Sequence, residues 1–270
     1  MLIQRILTAI ILIPLTLAAL FYSSPQVFCI ITGLISLAAA WEWTNLMEIK
    51  KTWGRIFYLI IAAIIFLWIL FIPVSKVLIV SFVWWLFATL LIVLYPRGSS
   101  WWGKSKIVRG IMGLMVLVPC WVAINYIRNE KDGMYALLFL FVLIWGADTA
   151  AYFVGKKWGT VKLAPSVSPG KSWQGLCGAL IFSMIIVLVT VKLCHLPLAI
   201  WPWAFALSLI TVMFSIVGDL FESMIKRQAG LKDSGKLLPG HGGLLDRIDS
   251  LTAAAPVFVL GGLLLGIYLG

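Results

Sequence analysis

Half of the ten acidic residues in this sequence fall between Asp219 and Asp249, and their spacing is that of a site rather than a surface. Asp219, Glu222, Ser223 and Lys226 stand at i, i+3, i+4 and i+7, so a helix would carry all four on one face. A solvated stripe at a helix end has the same spacing. Asp219, however, follows directly on an apolar run, where a low dielectric suits an ion ligand better than a solvated charge. Asp246 and Asp249, three apart and flanking Arg247, are oxygen donors of the kind that hold Mg2+ beside substrate phosphates. Asp148, in LIWGADTAAYF, lies inside an apolar run. An acid at such a depth costs about 2.5 to 3.5 kcal/mol and is a functional candidate, with a helix-to-helix hydrogen bond as the structural alternative.

Between these acids runs DSGKLLPGHGGLLDRIDS, where Pro239 and Gly235, Gly240, Gly242 and Gly243 exclude a regular helix. Glycines let backbone N–H groups approach an anion, and Lys232, Lys236, His241 and Arg247 supply charge to match a triphosphate. The spacing is not that of a Walker A loop, and a plain Gly-rich turn would read the same way. A second polar segment, GKKWGTVKLAPSVSPGKSWQG, offers Ser166, Ser168, Gly170, Lys171 and Ser172 to a phosphate or a sugar hydroxyl. Zinc chemistry is disfavoured: His241 has no ligand-spaced companion, His195 lies apart, and Cys29, Cys120, Cys177 and Cys194 form no CxxC pair and are expected to serve packing.

The elements that must position these groups are membrane helices. Of 270 residues 62% are hydrophobic and 11% charged, far from the composition of a soluble domain. Nine apolar runs of spanning length are predicted near 6–22, 27–47, 56–73, 77–95, 107–127, 134–154, 173–194, 200–219 and 251–269, giving an all-α polytopic membrane protein. The first begins at Ile6 without a small-x-small exit and is read as a retained helix. The chain is expected to form one membrane domain, with helices alone over 1–130 and the motifs over 131–270. Seventeen Lys and Arg fall on one side of the nine spans and four on the other, which predicts a cytoplasmic N-terminus and places every polar cluster on the cytoplasmic face. The net charge of +11 is then loop charge beside anionic lipid, and no nucleic-acid partner is needed. Trp41, Trp43, Trp84, Trp85, Trp101, Trp102, Trp201 and Trp203 are expected to be interfacial anchors.

SMIKRQAGLKDSGKLLPGHGGLLDRID, from Ser223 to Asp249, is similar throughout to the signature of the phosphatidate cytidylyltransferases, with SxxKR, KDxG, PGHGG and DRxD in place. ADTAAYFVGKKWG and KLAPSVSPGKSWQG resemble a second stretch of the same family, although Ala150 and Ser166 stand where that pattern carries Gly and a basic residue. The resemblance implies transfer of CMP from CTP to phosphatidic acid, giving CDP-diacylglycerol and pyrophosphate, with Mg2+ and room for a second cation, a monovalent one included. A lipid phosphate is its own ionised nucleophile, so no Ser, Cys or His triad is required.

On this reading Asp219, Asp246, Asp249, Lys226 and Arg227 are the catalytic candidates, and Asp219, Asp246, Asp148 and Glu222 the metal-ligand candidates. Lys171, Ser223, Lys232, Asp233, His241, Gly242, Gly243 and Arg247 are the substrate-binding candidates. The expected setting is the plasma membrane, the inner membrane of a bacterium, with the active site facing the cytoplasm. A homodimer is the default assembly. A transporter would spread its acids through the membrane depth. A CTP-using lipid kinase would phosphorylate its lipid instead.

Overall fold

The structure is a computed structural model that describes residues 2–99, 103–238, 240 and 242–266, with side chains from residue 10 onward. His241, Pro239, Trp101 and Trp102 lie outside the described residues. Nine α-helices are present among them: α1 Leu2–Tyr22, α2 Pro25–Leu46, α3 Thr52–Trp68, α4 Val74–Leu94, α5 Lys106–Asn129, α6 Gly133–Trp158, α7 Trp173–Leu193, α8 Trp201–Gln228 and α9 Leu245–Leu264. Eight of these segments, α2 to α9, are long and apolar enough to cross a bilayer. Serine side chains open three of the helices: Ser24 accepts from Val27 N, Ser105 from Val108 N and Ser172 from Gly175 N.

Each expected span has its helix, but two boundaries near the motifs moved. The eighth span was expected to stop at Asp219 and instead continues as helix to Gln228, and the last begins at Leu245 rather than near 251. In both places charged side chains extend an apolar helix because they pair with one another instead of turning to water. Between α6 and α7 the polar segment folds back as an antiparallel hairpin, β1 Lys162–Ala164 and β2 Ser168–Ser172, with Lys162 opposite Ser172.

Two of the expected interfacial tryptophans are core residues. Trp43 and Trp85 are fully buried, the first donating Nε1–H to Arg109 O at 2.8 Å and the second packed edge-on against Phe221 at 5.7 Å between centroids. The sequence pattern misreads them because an aromatic near a helix end serves either interface or interior. Trp203 is exposed, as an anchor would be. The expected cysteine packing holds for buried Cys120 and for Cys29, half-buried against the core, whereas Cys177 and Cys194 are exposed.

The pairing of α8 with α9 matters most for the site. A Cβ on Gly218 would come within 2.5 Å of Asp249 O, so only glycine allows these backbones to run this close. Asp219 and Asp249 are thereby brought to the same wall.

Candidate active site

Helix α8 presents Asp219, Glu222, Ser223 and Lys226 on one face, as their spacing requires, and the first turns of α9 present Asp246, Asp249 and Ser250 opposite them. Asp148 comes from α6 and Lys171 from β2. The parts meet at a cavity of about 760 Å3 lined by, among others, Asp148, Lys171, Asp219, Asp246, Arg247 and Asp249. Lys156, Lys162 and Ser168 add polar groups to its hairpin side, while Tyr152, Leu176 and Ile216 supply apolar wall. Four carboxylates from three helices therefore share one opening with three lysines and an arginine.

The acids divide by what they touch. Asp246 is saturated: Oδ1 lies 2.6 Å from Lys226 Nζ, and Oδ2 accepts from Gly243 N at 2.8 Å and from both the N–H and the hydroxyl of Ser234 at 3.0 Å. Glu222, buried behind it, has Oε1 3.1 Å from the same Lys226 ammonium, a charge contact without hydrogen-bond geometry. Lys226 thus serves two buried carboxylates inside the fold, and Glu222 lies behind the cavity wall.

The other cavity acids have fewer partners. Asp219 Oδ2 pairs with Lys171 Nζ at 2.8 Å while its Oδ1 accepts from Ser223 Oγ at 3.2 Å, both charged partners being about a quarter exposed. Asp148 Oδ2 accepts from the Ser250 hydroxyl at 3.0 Å, and Asp249 Oδ1 from the Ser250 N–H at 2.7 Å. Ser250, which sequence reasoning did not single out, therefore links acids on two helices.

Other predicted residues sit further out. Arg227 donates Nε–H to Val167 O at 3.3 Å, fastening α8 to the hairpin. Lys232 and Asp233 are exposed, and neither they nor Arg227 belong to the described lining of the cavity. Gly242 adopts φ +80°, a left-handed turn conformation, and its carbonyl accepts from Leu238 N at 3.0 Å. The N–H groups of Ser234 and Gly243 are directed at Asp246, and that of Leu245 at Glu42 Oε2 at 2.9 Å, so these donors of the Gly-rich turn hold protein carboxylates. Glu42, Asn45 and Ser234 are structural partners that were not among the predicted site residues. The signal was present for Glu42, an acid inside an apolar run.

The donor set fits a hard divalent ion. Asp148, Asp219 and Asp249 offer carboxylate oxygens to the cavity, and the Lys171 ammonium already occupies the position of a counter-cation beside Asp219. Among the described residues no group of three His, Cys, Asp or Glu is close enough to enclose an ion unaided. Mg2+ needs no such cage, because it commonly takes one or two carboxylates and completes its shell with water and substrate phosphate.

Comparison with known proteins agrees with this chemistry. A family model described as the Cytidylyltransferase family matches residues 3–264. The chain is 42% identical over 260 residues to a phosphatidate cytidylyltransferase of Pseudomonas aeruginosa, covering 96% of each chain. It is 38% identical over 280 residues to one of Haemophilus influenzae, covering 96% of this chain and 97% of that one. A Brucella suis protein of the same name is 35% identical over 264 residues, covering 96% and 92%. With the match running through all nine helices, acid cluster and hairpin included, the chain belongs to the cytidylyltransferase family.

Proposed function

We infer that this chain transfers the cytidylyl group of CTP to phosphatidate, forming CDP-diacylglycerol and pyrophosphate. The observation that carries this reading is the cavity itself: four carboxylates and a resident lysine at one opening, in a chain related along nearly its whole length to phosphatidate cytidylyltransferases.

The reaction is an in-line exchange at the α-phosphorus of CTP. An ionised phosphate oxygen of the lipid forms the new P–O bond, the bond to the β-phosphate oxygen breaks, and its electron pair leaves with pyrophosphate. No protein nucleophile takes part, so the chain must orient two anions and offset the charge between them. Mg2+, when bound, supplies much of that neutralisation. Asp219 and Asp249 would hold it, with Asp148 beside them and Ser250 orienting Asp148 and Asp249. Lys171 and Arg247 line the cavity as the cations for the phosphates of both substrates. Asp246, fully engaged by its own neighbours, keeps the start of α9 in place.

The acyl chains stay in hydrocarbon, at about 0.8 kcal/mol per CH2, so the lipid enters sideways past the apolar wall at Tyr152, Leu176 and Ile216. The bias of positive charge supports a cavity open to the cytoplasm of a bacterial cell, where CTP is made, and a homodimer remains the default assembly.

Incubating detergent-purified protein with phosphatidate, labelled CTP and Mg2+ tests the reading. Formation of CDP-diacylglycerol with stoichiometric pyrophosphate is expected, and phosphorylation of the lipid would sink it. For topology, Lys236→Cys in a chain whose four native cysteines are replaced by alanine is expected to react with an impermeant thiol reagent only from the cytoplasmic side; labelling from the other side would overturn the orientation.

A further inference from the structure

Glu42 lies on α2 and is 1% exposed. Among the described residues no basic side chain pairs with it. A carboxylate so enclosed persists only where donors are aimed at it. Its Oε2 accepts from Leu245 N at 2.9 Å and lies 3.4 Å from the Ser234 hydroxyl, while its buried Oε1 makes no hydrogen bond among the described residues. That same hydroxyl lies 3.0 Å from Asp246 Oδ2, so a single group ties Glu42 to the cavity acid. One turn along α2, Asn45 donates Nδ2–H to Ser234 O at 2.8 Å, so both polar residues of this helix face grip residue 234.

The glycines give the second, independent observation. A Cβ on Gly235 would overlap Glu42 Oε1, and one on Gly243 would come within 2.5 Å of Oε2. Neither glycine has a positive φ, so their small size, not their backbone freedom, is what the structure uses. The Gly-rich turn is therefore shaped around a carboxylate belonging to the protein.

We propose that Glu42 is a positioning residue, an internal anion around which Ser234, Gly235, Gly243 and Leu245 are packed so that Asp246, Arg247 and Asp249 meet the cavity in one arrangement. Its part in turnover rests on the assignment of that cavity as the reaction centre; its part in shaping the turn does not. The Glu42→Gln variant retains length and one acceptor but loses the charge and places an N–H donor beside Leu245 N or Gly235.

In purified full-length protein, Glu42→Gln is expected to keep its elution profile and melting temperature. Its kcat should fall by about tenfold, the scale for groups that orient a site from behind, with KM for CTP and phosphatidate unchanged. Trypsin should cleave faster at the exposed Lys232 and Lys236. Wild-type kcat together with wild-type protease resistance would overturn the proposal. Should Glu42→Gln fail to accumulate, Gly235→Ala decides: it should lose protection of the turn, and pairing it with Glu42→Ala should do no more harm than Glu42→Ala alone. Simple addition of the two effects, or a Gly235→Ala protein indistinguishable from wild type, would also overturn it. Absence of cytidylyl transfer by the wild-type protein would remove the functional reading, leaving the protease and pairing results to judge the turn.

Discussion

Two sets of acids stand a few residues apart in this molecule and differ in what satisfies them. Glu222 and Asp246 share the buried Lys226, and Glu42 and Asp246 take the N–H groups of the Gly-rich turn, so the partners of this inner set come from the protein itself, although both Glu222 oxygens and Glu42 Oε1 make no hydrogen bond among the described residues. Asp148, Asp219 and Asp249 face the cavity, and apart from Ser223 and Ser250 their charged partner is Lys171 on the hairpin. The inner set uses charge to hold the chain in shape, and the outer set keeps charge available. Similar residues at similar spacing thus have different duties, decided by whether the protein or the substrate completes their contacts.

Removing the inner set's lysine tests that division most severely. Lys226→Met leaves two buried carboxylates without a counter-ion and is expected to cost about 3 to 5 kcal/mol, read as a large fall in melting temperature and yield. A stable Lys226→Met protein would merge the two sets. Next in size, Asp219→Asn should fold as wild type yet lose at least about a hundredfold in Mg2+-dependent turnover, the scale of removing one main electrostatic group. Near-normal turnover would take Asp219 out of the reacting set.

Gly218→Ala pushes α9 away from α8 and should cost about 1 to 3 kcal/mol, measured by thermal denaturation in detergent. Smallest in stability is Lys171→Met, under about 1 kcal/mol because the pair is part-exposed. With the resident ammonium gone, Mn2+ binding without nucleotide should tighten while turnover falls; unchanged Mn2+ affinity would show that Lys171 is not the stand-in cation.

Much of this was legible in the sequence. The spans follow from apolar length, and the i, i+3, i+4, i+7 face of α8 formed as spaced. The end of α8 was not legible, because a rule that stops a span at its first charge cannot know that Lys226 will meet Glu222 and Asp246 rather than water. The Gly-rich segment suggested an anion cradle, and it is one, but the anions at Ser234, Gly243 and Leu245 are Asp246 and Glu42. Local spacing carries no information about a partner about 200 positions away, as Glu42 is from Leu245. Trp43 and Trp85 went unrecognised as core for the same reason, since their neighbours Arg109 and Phe221 are remote in the chain.

The close passage of α8 against α9 at Gly218 has a consequence for how such a protein can change. The separation between the Asp219 and Asp249 main chains is set where peptide meets peptide, with no side chain as a spacer. The lipid-facing residues of both helices are thus free to drift, or to be exchanged for a thicker or thinner bilayer, without recalibrating the chemistry. The main chain acts as the gauge block of the site, and the outer surface is interchangeable casing.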